Sequence, residues 1–119
     1  MHNVRGVHNE ENLFNEIHLA QAPDKQMRVN VPVGEAVQLK CDIHPWMSTW
    51  VYVHDSAAVG VTGADGKFRI GDVPPGSYEL EVWHPYLGTK KVNVKVAAGE
   101  TVTVEPPAFA PADYKAPPQ

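Results

Sequence analysis

The 119 residues contain one cysteine, Cys41, which excludes an internal disulfide framework and a four-cysteine zinc site. Basic residues are few: 10 Lys and Arg stand against 14 Asp and Glu, for a net charge of −4. No basic stripe is present to neutralise phosphates, so nucleic acid is not an expected partner. No apolar run approaches the ~20 residues that span a bilayer, so no transmembrane segment is expected. Residues 1–12 lack an apolar core of the secretory kind, so no signal peptide is expected within the chain as given. The nucleophile elbow G-x-S-x-G, the zinc motif H-E-x-x-H and a phosphate loop are all missing, so no enzyme is expected. What the chain does have is 43% hydrophobic and 20% charged residues, the composition of a globular domain rather than a disordered one. Its 11 prolines and 9 glycines cluster between short alternating runs, which argues against a helix bundle.

Those runs read as strands. Gln26–Val31 and Ala36–Cys41 alternate polar and apolar residues, and in the second run Val37, Leu39 and Cys41 share one face. Thr49–His54 is rich in β-branched and aromatic side chains. Ala58–Thr62 and Lys67–Ile70 flank the turn Gly63-Ala64-Asp65-Gly66. Ser77–Trp83 follows the rigid turn Val73–Gly76, with Tyr78, Leu80 and Val82 expected to face inward. Lys91–Val96 and Thr101–Val104 are expected to pair across Ala97–Glu100. About eight strands at this spacing predict an all-β fold, an antiparallel β-sandwich. Glu10–Ala20 reads as a loop or a single helical turn, and the Pro-rich tail after Glu105 as extended chain.

Chemistry concentrates in Cys41-Asp42-Ile43-His44-Pro45-Trp46-Met47. Taken singly, Cys41 is a buried small hydrophobe, Met47 a gap-filler and His44 a loop residue. Taken together, a thiolate, an imidazole and a thioether at spacings of three, on a tight loop leaving a core strand, suit copper. Blue-copper sites use two His and one Cys in a plane with a weak axial Met. Pro45 stiffens the loop, Trp46 is placed to shield a metal from water, and His2 is the candidate for the second imidazole. His8 and His18 read as solvated, and His54 as a surface partner of Asp55. Glu79 and Glu81 lie on a solvated strand face.

His2-Asn3-Val4 with Cys41–Met47 resembles the two ligand segments of the plastocyanin/amicyanin group of cupredoxins, whose short loop is C-x-x-H-P-[aromatic]-M. The resemblance implies one type 1 copper ion held by His2, Cys41, His44 and Met47, with Asn3 tying the two ligand loops together. It also implies that electrons reach the metal through Cys41 and leave by the edge of His44. Ala58–Thr62, Ala64–Ile70 and Val73–Val82 resemble the carboxypeptidase regulatory-like (transthyretin-like) β-sandwich, with its T-x-x-D-G-x-F and P-P-G-x-Y-x-L signature. Glu81–His84 is similar to a group of bacterial exported proteins that join the two, and it makes His84 a secondary candidate for a ligand or partner contact, otherwise a strand cap.

The expected organisation is a partial cupredoxin-like region at 1–54, a carboxypeptidase regulatory-like region at 55–105 and a Pro-rich tail at 106–119. The strand at 49–54 is expected to serve both regions. A cupredoxin has several strands before its first ligand His, so residues 1–7 are expected to pair with another polypeptide or with upstream strands. The implied function is copper-binding electron transfer in the periplasm or another extracytoplasmic space. The implied partner is a redox protein such as a c-type cytochrome or a membrane-attached redox complex, and the tail is expected to dock on a partner. The alternative is a metal-free β-sandwich module with an interaction or structural role; a third reading is copper storage or delivery.

Overall fold

The computed structural model describes residues 1–115; the last part of the expected tail, 116–119, lies outside the described residues. The protein is all-β and its sheets are antiparallel, as a β-sandwich protein requires. Two compact units divide at Asp55 and Ser56.

The first unit holds a four-stranded sheet made from β1 (His2–His8), β2 (Glu11–His18), β3 (Ala36–Lys40) and β4 (Ser48–Tyr52), in the order β2-β1-β3-β4. The segment expected as loop or helical turn is therefore strand β2. Asn9 and Glu10 both take positive φ, 48° and 66°, the backbone of the tight turn that matches the twist of a two-residue hairpin. Once that turn forms, Phe14 falls opposite Gly6, and its ring occupies the space where a Gly6 Cβ would stand, 2.5 Å from Cε1. β1 is flanked by β2 along its length and by β3 at Arg5–Val7. His2 therefore has a rung partner within the chain, His18 of β2, while β3 stops short of it at Arg5. Val37, 3% exposed, and Cys41, 6% exposed, form the apolar centre, with Asn3 and Gln38 buried beside them.

The second unit contains a two-stranded ladder of β5 (Gly76–His84) and β6 (Gly88–Val96). Here the sequence misassigned a partner. β6 pairs with β5, through a turn in which Leu87 N–H bonds to His84 O (3.3 Å) and Gly88 adopts φ 85°. Thr101–Val104, Ala58–Thr62 and Lys67–Ile70 are not assigned to strands, and neither is Gln26–Val31 in the first unit. Each has the alternation of a strand, but Val61 is 91% exposed and Met27, Val29 and Val102 are exposed as well. The Asp65-Gly66 turn does form, with Gly63 N–H to Lys67 O at 2.9 Å and Lys67 N–H to Asp65 Oδ1 at 3.0 Å. On β5, Leu80 and Val82 are half-buried as expected, whereas Tyr78 is exposed and its hydroxyl donates to Pro74 O (2.6 Å).

Residues 106–115 lie along this unit's own hairpin. Lys115 N–H donates to Tyr86 O (2.7 Å), Lys90 Nζ lies 3.4 Å from Asp113 Oδ2, and the same ammonium sits 5.8 Å from the Phe109 ring centre. A short 3-10 turn at Pro111–Asp113 is closed by Asp113 Oδ2 accepting Ala110 N–H (2.7 Å). Among the described residues no helix is long and apolar enough to cross a membrane.

Candidate metal centre

The register of the sheet builds the site. β1 and β3 pair Arg5 with Lys40 as the last rung; one and two steps beyond, Val4 and Asn3 come level with Cys41 and Asp42. There the backbone ladder gives way to a side chain. Asn3 Oδ1 accepts Asp42 N–H (2.6 Å), and Asn3 Nδ2 donates to Asp42 Oδ2 (2.8 Å) and Asn15 Oδ1 (3.1 Å). On its other side Cys41 N–H bonds to Met47 O (3.1 Å), which continues the β3–β4 pairing by one rung, and Met47 N–H returns to His44 O (2.9 Å). Asp42–Trp46 is therefore a closed loop pinned at both ends, and it carries Cys41 and His44 to the tip of β1.

His2, Cys41 and His44 converge there, with one potential ligand atom from each inside a mutual span of 4.8 Å. The two imidazoles face each other through Nδ1, 3.0 Å apart, and Cys41 Sγ lies 3.9 Å from His2 Nδ1 and 3.7 Å from His44 Nδ1. The ring centres are 4.6 Å apart with planes tilted by 49°. At this distance one Nδ1 donates to the other, and Cys41 Sγ completes a triangle of donor atoms. Edges of 3.0, 3.7 and 3.9 Å are short enough for all three donors to reach one d-block ion, whose bonds run ~2.0 Å to His nitrogen and ~2.3 Å to Cys sulfur.

Cys41 is also prepared electrostatically. Burial pushes its thiol up, but the backbone amides of Asn3, His44 and Ile43 and the His44 ring favour the thiolate, and the balance brings the pKa from 9.0 down to about 7. Thiolate, not thiol, is the metal ligand. Beside it Asp42 is held below the ordinary carboxylate range by hydrogen bonds from Arg5 and Asn3. Arg5 donates from Nε to both carboxylate oxygens (3.2 Å each) and from Nη2 to Oδ1 (2.8 Å), while Nη1 reaches Asn12 Oδ1 (3.2 Å).

Met47 lines an open groove of about 560 Å³ that also reaches His2 and Cys41, with Val4, Leu39 and Trp46 as apolar wall. Trp46 departs from the expected shield. It is 80% exposed, and its ring meets His44 edge-on at 5.3 Å between centres, so it covers one imidazole rather than enclosing the site. His18, read from sequence as solvated, is the rung partner of His2 and lines the same groove. The signal was the Asn9 turn that defines β2. His8 also has a partner, Glu35 Oε1 at 2.8 Å. His84 behaves as a strand cap, its Nδ1 accepting Tyr86 N–H (3.1 Å).

Comparison with known proteins adds one positive finding: residues 50–107 match the family model of the carboxypeptidase regulatory-like domain. The matched stretch contains β5, β6 and the Asp65-Gly66 turn and begins inside β4, so it supports the resemblance read from those segments. Neither the curated proteins nor the solved structures gave a match.

Proposed function

We propose that the unit formed by residues 1–55 is a cupredoxin-like copper site for electron transfer, joined to a carboxypeptidase regulatory-like domain. The observation that carries the reading is the His2–Cys41–His44 triangle, whose edges of 3.0, 3.7 and 3.9 Å are short enough for all three donors to reach one ion. Two imidazoles and one thiolate are the strong donors of blue-copper centres; His2, Cys41 and His44 would hold the ion, and Met47, which lines the same groove, would supply the weak thioether. Copper bound there supplies one-electron chemistry. The chain's own residues supply the rest: the pinned Asp42–Trp46 loop keeps His44 and Cys41 at fixed spacing, Asn3 fixes the strand that carries His2, and the half-buried His44 edge beside exposed Trp46 gives a redox partner its nearest approach. Rigid ligands need little rearrangement when the charge changes, which favours electron transfer over catalysis. The chain is accordingly read as a non-enzyme.

An extracytoplasmic location and a partner such as a c-type cytochrome or a membrane-attached redox complex belong to the same proposal, and both follow from the cupredoxin resemblance. The test is to load the full chain anaerobically with Cu(I), remove excess metal, oxidise it and record the visible spectrum beside Cys41→Ser. One retained copper with an intense thiolate-to-copper band, absent from the variant, supports the reading. A colourless chain that retains no copper favours the metal-free interaction module.

A further inference from the structure

Arg5 belongs to no ligand segment, yet it holds the one carboxylate covalently adjacent to the thiolate ligand. We propose that the Arg5–Asp42 pair positions the copper ligands and balances the charge beside them, so that the site's reduction potential depends on Arg5 although Arg5 touches no ligand. This inference rests on the copper reading above and adds to it the device that tunes the site.

The geometry supplies both halves of the proposal. Asp42 Oδ2 accepts from Asn3 Nδ2 at 2.8 Å and from Arg5 Nε at 3.2 Å, while Oδ1 accepts from Arg5 Nη2 at 2.8 Å. Arg5 and Asn3 are alternate residues of β1, so the carboxylate is gripped twice by the strand that begins with His2. Arg5 Nη1 to Asn12 and Asn3 Nδ2 to Asn15 carry the grip on to β2. Cys41 and His2 are thus tied through Asp42 by five hydrogen bonds, four donated to its carboxylate by Arg5 and Asn3 and one donated by its own amide to Asn3 Oδ1. A two-pronged guanidinium fork on a carboxylate fixes orientation as well as distance, which a lysine in its place does not do.

Charge gives the second half. A bare carboxylate next to the thiolate favours the oxidised, more positive ion and lowers the potential; a bare guanidinium does the opposite. The observed pair is neutral. Arg5→Gln is therefore expected to lower the reduction potential, Asp42→Asn to raise it, and the double variant to return toward the parent value. A structural role alone moves both single variants the same way, because each loosens the same loop.

The second readout needs no metal. Hydrogen exchange of the Asp42 amide in the metal-free full chain is expected to speed up about tenfold or more in Arg5→Gln, while amides of β5 and β6 stay unchanged. Arg5→Lys should recover the charge effect but not the full protection of that amide. Potential shifts of the same sign in both single variants, or an Asp42 amide indifferent to Arg5, overturn the proposal. A parent chain that takes up no copper refutes the copper reading and the charge half with it, and the exchange measurement then decides the positioning half by itself.

Discussion

Replacing Asn3 with leucine, an apolar side chain of similar size, removes the bridge that ties the two ligand segments together. Asn3 is 8% exposed and makes three side-chain hydrogen bonds, to Asp42 N–H, Asp42 Oδ2 and Asn15 Oδ1. Each is worth roughly 0.5–1.5 kcal/mol net, and an amide left without an acceptor costs about 1–3 kcal/mol where water does not reach it. Asp42 is exposed enough for water to take over part of the lost bonding, and Arg5 still holds its carboxylate. The sum is therefore about 2–4 kcal/mol, a large share of the stability of a unit this small. Because the chain has two units, the assay must separate them. Residue-resolved hydrogen exchange of β1 and β3 against β5 and β6 does so, with urea unfolding followed by tryptophan fluorescence as a check. Asn3→Leu should lose protection in β1 and β3 alone. Asn3→Asp should fare no better at neutral pH, because it keeps the acceptor for the Asp42 amide but sets a second carboxylate against Asp42. A loss below about 0.5 kcal/mol in Asn3→Leu would show that the backbone, not this side chain, holds the ligand strands together.

Other substitutions probe the neighbouring links. Gly6→Val drives a branched side chain into the Phe14 ring, 2.5 Å from the ideal Cβ position, and should destabilise the first unit by about 1–3 kcal/mol; a variant as stable as the parent in urea would mean that Phe14 is free to move aside. The metal-free Cys41 thiol should ionise with a midpoint near 7, read from thiolate ultraviolet absorbance, and a midpoint near the ordinary 9.0 would contradict the role of its amide donors. Because the folded value is the lower one, the stability this thiolate contributes is present above pH 9 and is lost as the pH falls through about 7. Copper uptake below that pH must also displace a proton and should weaken. Met47→Leu should keep the visible band and shift the potential, since an axial ligand tunes more than it holds; loss of all copper would make Met47 a primary ligand. Truncation after Glu105 removes the Lys90–Asp113 and Lys90–Phe109 contacts and should lower the urea midpoint of the second unit slightly without unfolding it; loss of its cooperative transition would show that the tail belongs to its core.

Much of the site could be read in the sequence because its ligands come from one short loop. C-x-x-H-P-W-M places Cys41 at a strand end and His44 three residues on, and a tight loop leaves few ways to arrange them. His2 was legible only through the motif around it, since the pairing that brings it to Cys41 depends on β2. That strand was hidden because Leu13, Ile17 and Ala20 mimic a helical face. The deciding signal was two residues long, Asn9-Glu10, whose positive φ values turn the chain back on itself. Alternation misled in the other direction at Gln26–Val31 and Thr101–Val104. It reports a chain with two different faces and says nothing about whether a neighbour offers backbone groups to pair with. The Arg5–Asp42 contact was out of reach because it spans 37 positions of sequence and leaves no spacing pattern.

The central claim is that two histidines and one cysteine surround a single copper ion, and X-ray absorption at the copper edge of the loaded full chain tests it most directly. The account predicts two imidazole nitrogens and one short bond to sulfur around each copper, with the sulfur lost in Cys41→Ser and one imidazole lost in His2→Ala. A copper shell of nitrogen and oxygen alone, unchanged by either substitution, would contradict it.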